Sequence, residues 1–256
     1  MPKSITRLLA ILIIVHISCK SKPKDPIAKG ESIIKKSIEA SGSNKLKNAK
    51  LNFSFRGNQY LANRNNGKFV LARFMVSDSK DSIFDVLSND GFERFVNDSL
   101  VQLPDTLIAR FSPSVNSVHY FSVLPYGLDA KAVNTEWLSD EKIKEETYHK
   151  VKITFDEVGG GEDFEDVFIY WINTETFKID YLAYSYEERD GKGLRFREAY
   201  NRREIEGIDF VDYNNFKPKV ATVDLGNLGK LFANGELELL SKIELENISV
   251  DLINDL

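Results

Sequence analysis

Val167-Phe168-Ile169-Tyr170-Trp171-Ile172 and, after a polar turn, Ile179-Asp180-Tyr181-Leu182-Ala183-Tyr184-Ser185-Tyr186 form the stretch that decides the fold. Successive side chains of a strand point to opposite faces, so odd and even positions report two separate environments. In the first segment Val167, Ile169 and Trp171 oppose Phe168, Tyr170 and Ile172, and both sets are apolar. In the second, Ile179, Tyr181 and Ala183 oppose Leu182, Tyr184 and Tyr186. A strand with one wet face alternates cleanly, whereas a strand apolar on both faces needs cover on each. The pair therefore reads as the centre of an antiparallel sheet shielded twice.

Outward from this centre the period stays at two. Tyr148–Phe155 precedes it, and Gly193–Arg202, Ile208–Tyr213 and Leu237–Val250 follow, with turns at Asp190-Gly191 and Glu206-Gly207. Nearer the N-terminus, Leu51–Arg56, Lys68–Val76, Ile83–Leu87 and Phe92–Val96 read as strands, with turns at Asn65-Asn66-Gly67 and Asn89-Asp90-Gly91. Two segments are helical instead. Glu31–Gly42 places Ile33, Ile34 and Ile38 on one stripe and stops at a glycine. Leu103–Leu124 reads as two short helices, entered at Pro104 and at Pro113, with Ser112 capping the second. Nothing alternates strand and helix in the βαβ manner. The expectation is an α+β fold: a curved antiparallel half-barrel of about ten strands, with an N-terminal helix and a short helical insertion as lid.

The N-terminus carries an export pattern. Lys3 and Arg7 precede Leu8–Ile17, a run that is apolar except for His16, and Ser18-Cys19 follows. Ten helical residues span roughly 15 Å, half a bilayer core, which fits a signal peptide and not a membrane span. Cys19 is the lone cysteine of 256 residues, so no intrachain disulfide can form. Ile17-Ser18-Cys19 resembles the bacterial lipobox, with His16 departing from its usual aliphatic residue. The resemblance implies a signal peptide over 1–18, acylation of Cys19 as the membrane attachment, and a flexible tether over 19–30, rich in lysine and proline. By the same analogy, lysine after the cysteine implies the outer membrane, with the protein facing the periplasm. Residues 31–256 then form one half-barrel-like domain.

Asp166, Trp171-Ile172-Asn173, Thr176 and Ile179, together with the lipobox and the leading helix, resemble the half-barrel lipoprotein carriers of the LolA and LolB type. Ser114–Phe121, Gly159-Gly160-Gly161 and Tyr181–Tyr186 resemble a group of uncharacterised Gram-negative lipoproteins over nearly all of 31–250. These resemblances imply the fold and compartment, and a cavity suited to acyl chains.

Candidate chemistry is sparse. The net charge of −5 is spread without a basic stripe, which argues against nucleic acid. Two histidines follow the signal peptide, His119 and His149, too far apart for a structural zinc site without cysteine. Gly159–Asp166 holds four carboxylates after three glycines; calcium is one reading, a solvated hairpin the plainer one. No cofactor is expected, and no Gly-x-Ser-x-Gly elbow or barrel lysine pattern supports an enzyme. A hydrolase pairing His119 with Asp156 is the least favoured alternative. Arg195 and Arg197 share one strand face, where they either clamp an acidic ligand or pair with Asp180 or Glu187. With His119, Tyr120, Tyr126, Trp171, Tyr184 and Tyr186 they make up the expected ligand-binding set; no catalytic residue is assigned. The sequence favours a lipid-anchored, non-enzymatic protein that binds a hydrophobic or amphipathic ligand, lipid or lipoprotein-like. The alternative is an interaction lipoprotein that docks another envelope protein.

Overall fold

The computed structural model describes residues 25–161, 164–188, 191–220 and 222–253. The expected signal peptide over 1–18, Cys19 and the first part of the expected tether lie outside the described residues, as do Glu162 and Asp163 of the glycine-rich loop. Among the described residues three α-helices and fourteen strands follow in order: α1 (Pro26–Ser41), β1 (Asn48–Phe55), β2 (Asn58–Asn65), β3 (Lys68–Val76), β4 (Ser82–Ser88), β5 (Gly91–Val96), β6 (Ser99–Val101) and α2 (Asp105–Ser122). Then come β7 (Val133–Ile143), β8 (Glu146–Phe155), β9 (Val167–Asn173), β10 (Ile179–Glu188), β11 (Gly191–Ile205), β12 (Ile208–Pro218), α3 (Leu228–Ala233), β13 (Leu237–Ile243) and β14 (Glu246–Leu252).

The α+β class, the antiparallel pairing, the leading helix and the helical insertion are as expected. The strands, however, divide into two seven-stranded sheets. The first runs β14-β1-β2-β3-β4-β5-β6 and the second β13-β12-β11-β10-β9-β8-β7, every neighbour antiparallel. No pairing joins the far edges β6 and β7 among the described residues, so the layer curves without closing. The expected single strand Leu237–Val250 is two strands, one in each sheet. The chain breaks at Leu245 because Asp212, 2% exposed, captures its backbone: the Leu245 N–H donates to Asp212 Oδ1 at 2.9 Å. Arg203 completes the clamp by donating from Nη2 to Asp212 Oδ1 at 3.0 Å and to the Leu245 carbonyl at 2.6 Å.

The helices also differ from expectation in extent. Helix α1 already begins at Pro26, within the 19–30 segment expected to be a tether. Asp25 caps it, accepting from the Ile27 and Ala28 N–H groups at 3.0 Å each, and proline at the first turn loses no helical bond. Helix α1 ends at Gly42, whose φ of 66° lies in the left-handed region; a Cβ there would sit 2.0 Å from the Gly207 carbonyl oxygen. Glycine is thus required twice over, by backbone conformation and by close approach. The predicted pair of helices over 103–124 is one helix, α2, with Pro113 inside it. Proline removes one internal hydrogen bond, and packing holds the helix together: Ser112, Val115 and His119 are buried beneath it.

The doubly apolar strands are covered on both faces. On the inner side Val151, Ile153, Phe168, Tyr170, Ile172 and Leu182 pack with Ile33, Ile34 and Ile38 of α1. On the outer side Tyr148, Ile169, Trp171, Tyr181 and Phe196 pack with Leu228 of α3 and Leu237. Trp171 is fully buried there, with α3 set so close that a Cβ on Gly229 would lie 2.8 Å from the indole. A third cluster fills the inner face of the first sheet, around Leu51, Phe53, Tyr60, Ile208 and Phe210.

Candidate functional site

The cover on the inner face of the second sheet is incomplete. Between α2 and strands β8 to β12 lies a cavity of about 410 Å³, within the range of small-molecule sites. Its walls come from elements brought together by the register. Phe168 of β9 stands opposite Tyr184 of β10, and Arg197 of β11 opposite Leu182, so alternate residues of adjacent strands share this face. Helix α2 supplies Ser117, Val118, Tyr120 and Phe121 from the motif 114–121; Val211 and Tyr213 come from β12 and Leu245 from the inter-sheet corner.

Aromatic rings dominate the walls. Phe168 meets Tyr120 edge-on at 5.6 Å, Phe155 edge-on at 5.8 Å and Tyr184 stacked at 5.5 Å between centroids. Such arrangements put ring edges against ring faces or offset them, which is their favoured geometry. The Tyr120 and Tyr170 hydroxyls bond each other at 2.7 Å, and burial raises both well above the ordinary tyrosine range. Burial likewise pushes the Tyr213 hydroxyl up to about 12. All three stay neutral; Tyr120 and Tyr213 line the cavity as weakly polar surfaces, and Tyr170 is buried with its hydroxyl on that of Tyr120.

Among the described residues two charges, Arg197 and Asp166, line the cavity beside these rings. Arg197 is 7% exposed and its guanidinium lies 3.7 Å from the Phe121 ring centroid. It donates from Nη2 to the Tyr184 hydroxyl at 2.9 Å, while its buried Nε and Nη1 have no acceptor. Of the two partners expected for it, the side chain of Glu187 lies outside what the structure describes, and Asp180 is not what holds Arg197. Asp180 instead accepts from Arg202 at 3.0 Å.

The expected ligand-binding set therefore splits. Tyr120, Tyr184, Tyr186 and Arg197 meet at the cavity. Arg195 lies beside it, its guanidinium 5.0 Å from the Tyr186 ring, and donates to the Leu194 carbonyl at 2.9 Å. Trp171 does not belong: one residue of parity puts it on the opposite face, under α3. Tyr126 packs elsewhere, with the Arg64 guanidinium 5.2 Å from its ring. His119 is fully buried between Phe53 and Tyr60, and its Nε2 is 3.1 Å from the Ala72 carbonyl. Burial pushes its imidazole down to about 3, so it is a neutral core group. Asp156, the proposed hydrolase partner, accepts from Asn134 Nδ2 at 2.7 Å instead. Phe121, Phe168, Val211 and Tyr213 were not singled out in the sequence. Face parity around the doubly apolar strands is the signal that would have found Phe168 and Tyr213.

Residues 6–245 match the model of a family of unknown function, DUF6503. The chain belongs to the DUF6503 family. No curated protein is similar enough in sequence to match this DUF6503 chain. Among solved structures it is similar to a LolA superfamily protein from Nitrosomonas europaea, at 13% identity and TM-score 0.46, covering 89% of this chain and 94% of that one. It is similar also to a DUF1329 family protein from Desulfovibrio piger, at 9% identity and TM-score 0.45, covering 91% and 96%. The Mycobacterium tuberculosis lipoprotein LppX is similar at 12% identity and TM-score 0.29, covering 62% and 88%. What the DUF6503 cavity can hold is read from its own side chains. Among the described residues no helix is long and apolar enough to cross a membrane.

Proposed function

We propose that the chain is a lipid-anchored protein of the bacterial envelope, attached to the outer membrane through Cys19 and facing the periplasm, that holds a hydrophobic or amphipathic ligand without transforming it. The observation that carries this reading is the aromatic cavity between α2 and the second sheet. The outer face of that sheet is sealed by α3, and α1 seals part of the inner face, yet the rings around Phe168 are left facing open space. Burying apolar ligand surface against them gains about 25 cal/mol per Å².

Lipid extraction and mass spectrometry of natively purified protein test the reading, together with binding of the neutral probe N-phenyl-1-naphthylamine. A co-purifying lipid and saturable probe fluorescence are expected, both lost when Ser117→Trp fills the cavity. Empty preparations that also ignore the probe would end the carrier reading. Cys19→Ser should release the protein from the membrane fraction.

A second reading, docking of another envelope protein, is favoured by the outer face of the first sheet. Phe74 and Phe84 stand directly opposite each other there and are 37% and 36% exposed, with Leu100 in the same row across Phe95. Cross-linking in intact cells that returns one stoichiometric partner, lost in Phe74→Ser/Phe84→Ser, would support it.

A further inference from the structure

Among the described residues, Arg197 is the one wall residue with buried polar atoms left without a partner. Its guanidinium is permanently charged, 7% exposed, and set among the rings of Phe121, Tyr184 and Tyr213 at 3.7, 5.1 and 5.8 Å. The Tyr184 hydroxyl takes one donor, while Nε and Nη1 are buried with no acceptor. A buried cation is costly unless paired and fully hydrogen-bonded. Asp166 lines the same cavity, but Arg197 makes no ion pair among the described residues. Among the other arginines, Arg73 and Arg94 share Asp85 and Arg203 holds Asp212, whereas Arg64, 6% exposed, lies against the Tyr126 ring with Nη1 unpaired and away from the cavity.

Resting on the cavity reading above, we propose that the ligand is an amphiphile with one acidic head, a carboxylate or a phosphate, whose oxygens accept from Arg197 while its hydrocarbon lies along Phe121, Phe168 and Val211. The head supplies acceptors for the two guanidinium nitrogens, Nε and Nη1, that the described wall leaves without one, and arginine's planar fork suits either oxyanion. The rings that stack on Arg197 hold that fork in place before the ligand arrives, which lowers the ordering cost of binding. Inorganic phosphate alone leaves the aromatic walls uncovered, and a neutral lipid leaves the guanidinium unpaired. Only a head and tail together satisfy both.

The test uses the full chain carrying Cys19→Ser, stripped of endogenous lipid, with N-phenyl-1-naphthylamine as reporter. Oleate should displace the reporter at least about tenfold more effectively than oleyl alcohol, which has the same tail and no charge. Arg197→Met should abolish that preference, so that oleate and oleyl alcohol displace the reporter equally well whatever its own affinity for the variant, and Arg197→Lys should keep part of it. Oleoyl lysophosphatidic acid against oleate distinguishes the two sources, the tighter binder naming the head. Ligand-free Arg197→Met should melt no lower than the parent, since an unpaired buried cation has been removed. Equal displacement by oleate and oleyl alcohol, or an oleate preference that survives Arg197→Met, would overturn the proposal while leaving the cavity reading intact. Reporter that binds neither protein would refute the cavity reading itself, and the proposal with it.

Discussion

Arg73 of β3 and Asp85 of β4 face each other directly across the first sheet, Nη2 to Oδ2 at 2.6 Å, with Asp85 fully buried. Arg94 of β5, the next residue in the same cross-strand row, binds the other oxygen, Nε to Oδ1 at 2.6 Å. Arg73 also donates from Nη1 to Ser114 Oγ at 2.8 Å, and Arg94 stacks 3.7 Å over Phe111. One carboxylate thus latches α2, the roof of the cavity, onto a sheet that contributes little else to it. Asp85→Asn removes the charge that both arginines share. A loss of about 3–5 kcal/mol is expected, the usual cost of breaking a buried pair from one side. Replacing all three residues with apolar ones of similar size should recover most of it. Urea unfolding measures both, and a stable Asp85→Asn would show that water solvates the row.

His119 makes stability depend on pH with a definite sign. Its imidazole is pushed down to about 3 by burial, against an ordinary value of 6.5, with Arg64 and Arg73 adding to the effect. Between those two values the unfolded chain binds a proton that the folded chain does not. Stability from this residue is therefore present above pH 6.5 and lost as pH falls towards 3. From pH 7 to pH 5 the loss amounts to about 2 kcal/mol. His119→Gln keeps a donor for the Ala72 carbonyl but cannot titrate, so the stability gap between the two proteins should narrow by that amount. Parallel pH profiles in urea would show that His119 is not the group responsible.

Gly229 sets how closely α3 seals the outer face. A Cβ there would meet Glu141 Oε1 at 2.7 Å and the Trp171 ring at 2.8 and 2.9 Å. Gly229→Ala should lift the helix and cost about 1–3 kcal/mol by overpacking, despite alanine's better helix propensity. In a Trp137→Phe background only Trp171 fluoresces, and a red shift should report water reaching the indole. An unchanged spectrum with unchanged stability would mean that α3 moves freely.

How much of this was legible beforehand follows from where side chains carry signal. Strands β9 and β10 declare themselves because both faces are apolar. Strand β2 stayed hidden because its inward residues are Tyr60, Ala62 and Arg64, a small side chain and a charge where an apolar run would be read. Strand β7 buries only Thr135 and Ile143 along its length, with α1 pressed against its backbone at Gly30. Proline 113 resembled a helix entry because local rules cannot see the packing that carries a helix through it. Of the cavity residues, Tyr120, Tyr184, Tyr186 and Arg197 were readable from composition and strand face. Trp171 was misplaced because an apolar residue on a doubly covered strand does not say which cover it faces. The Arg73–Asp85–Arg94 row needs register across three strands, which spacing alone does not supply.

Asp212 offers a test of whether the joint between the sheets shapes the cavity. It accepts from the Leu245 N–H at 2.9 Å, from Arg203 at 3.0 Å and from Asn201 Nδ2 at 2.6 Å, and is 2% exposed. These bonds turn the chain from β13 into β14, and the corner they fix presents Ile243 and Leu245 to the cavity. Asp212→Ala leaves Arg203 without its carboxylate and the Leu245 N–H without an acceptor, two of the costliest kinds of loss. Stability should fall by about 3–5 kcal/mol. The effect should also be local: amides of β14 should exchange faster by hydrogen–deuterium exchange while those of β9 and β10 keep their protection. Reporter affinity should drop in parallel, because two wall residues lose their anchor. Uniformly faster exchange across both sheets would instead make Asp212 a general stabiliser, with no particular hold on the corner.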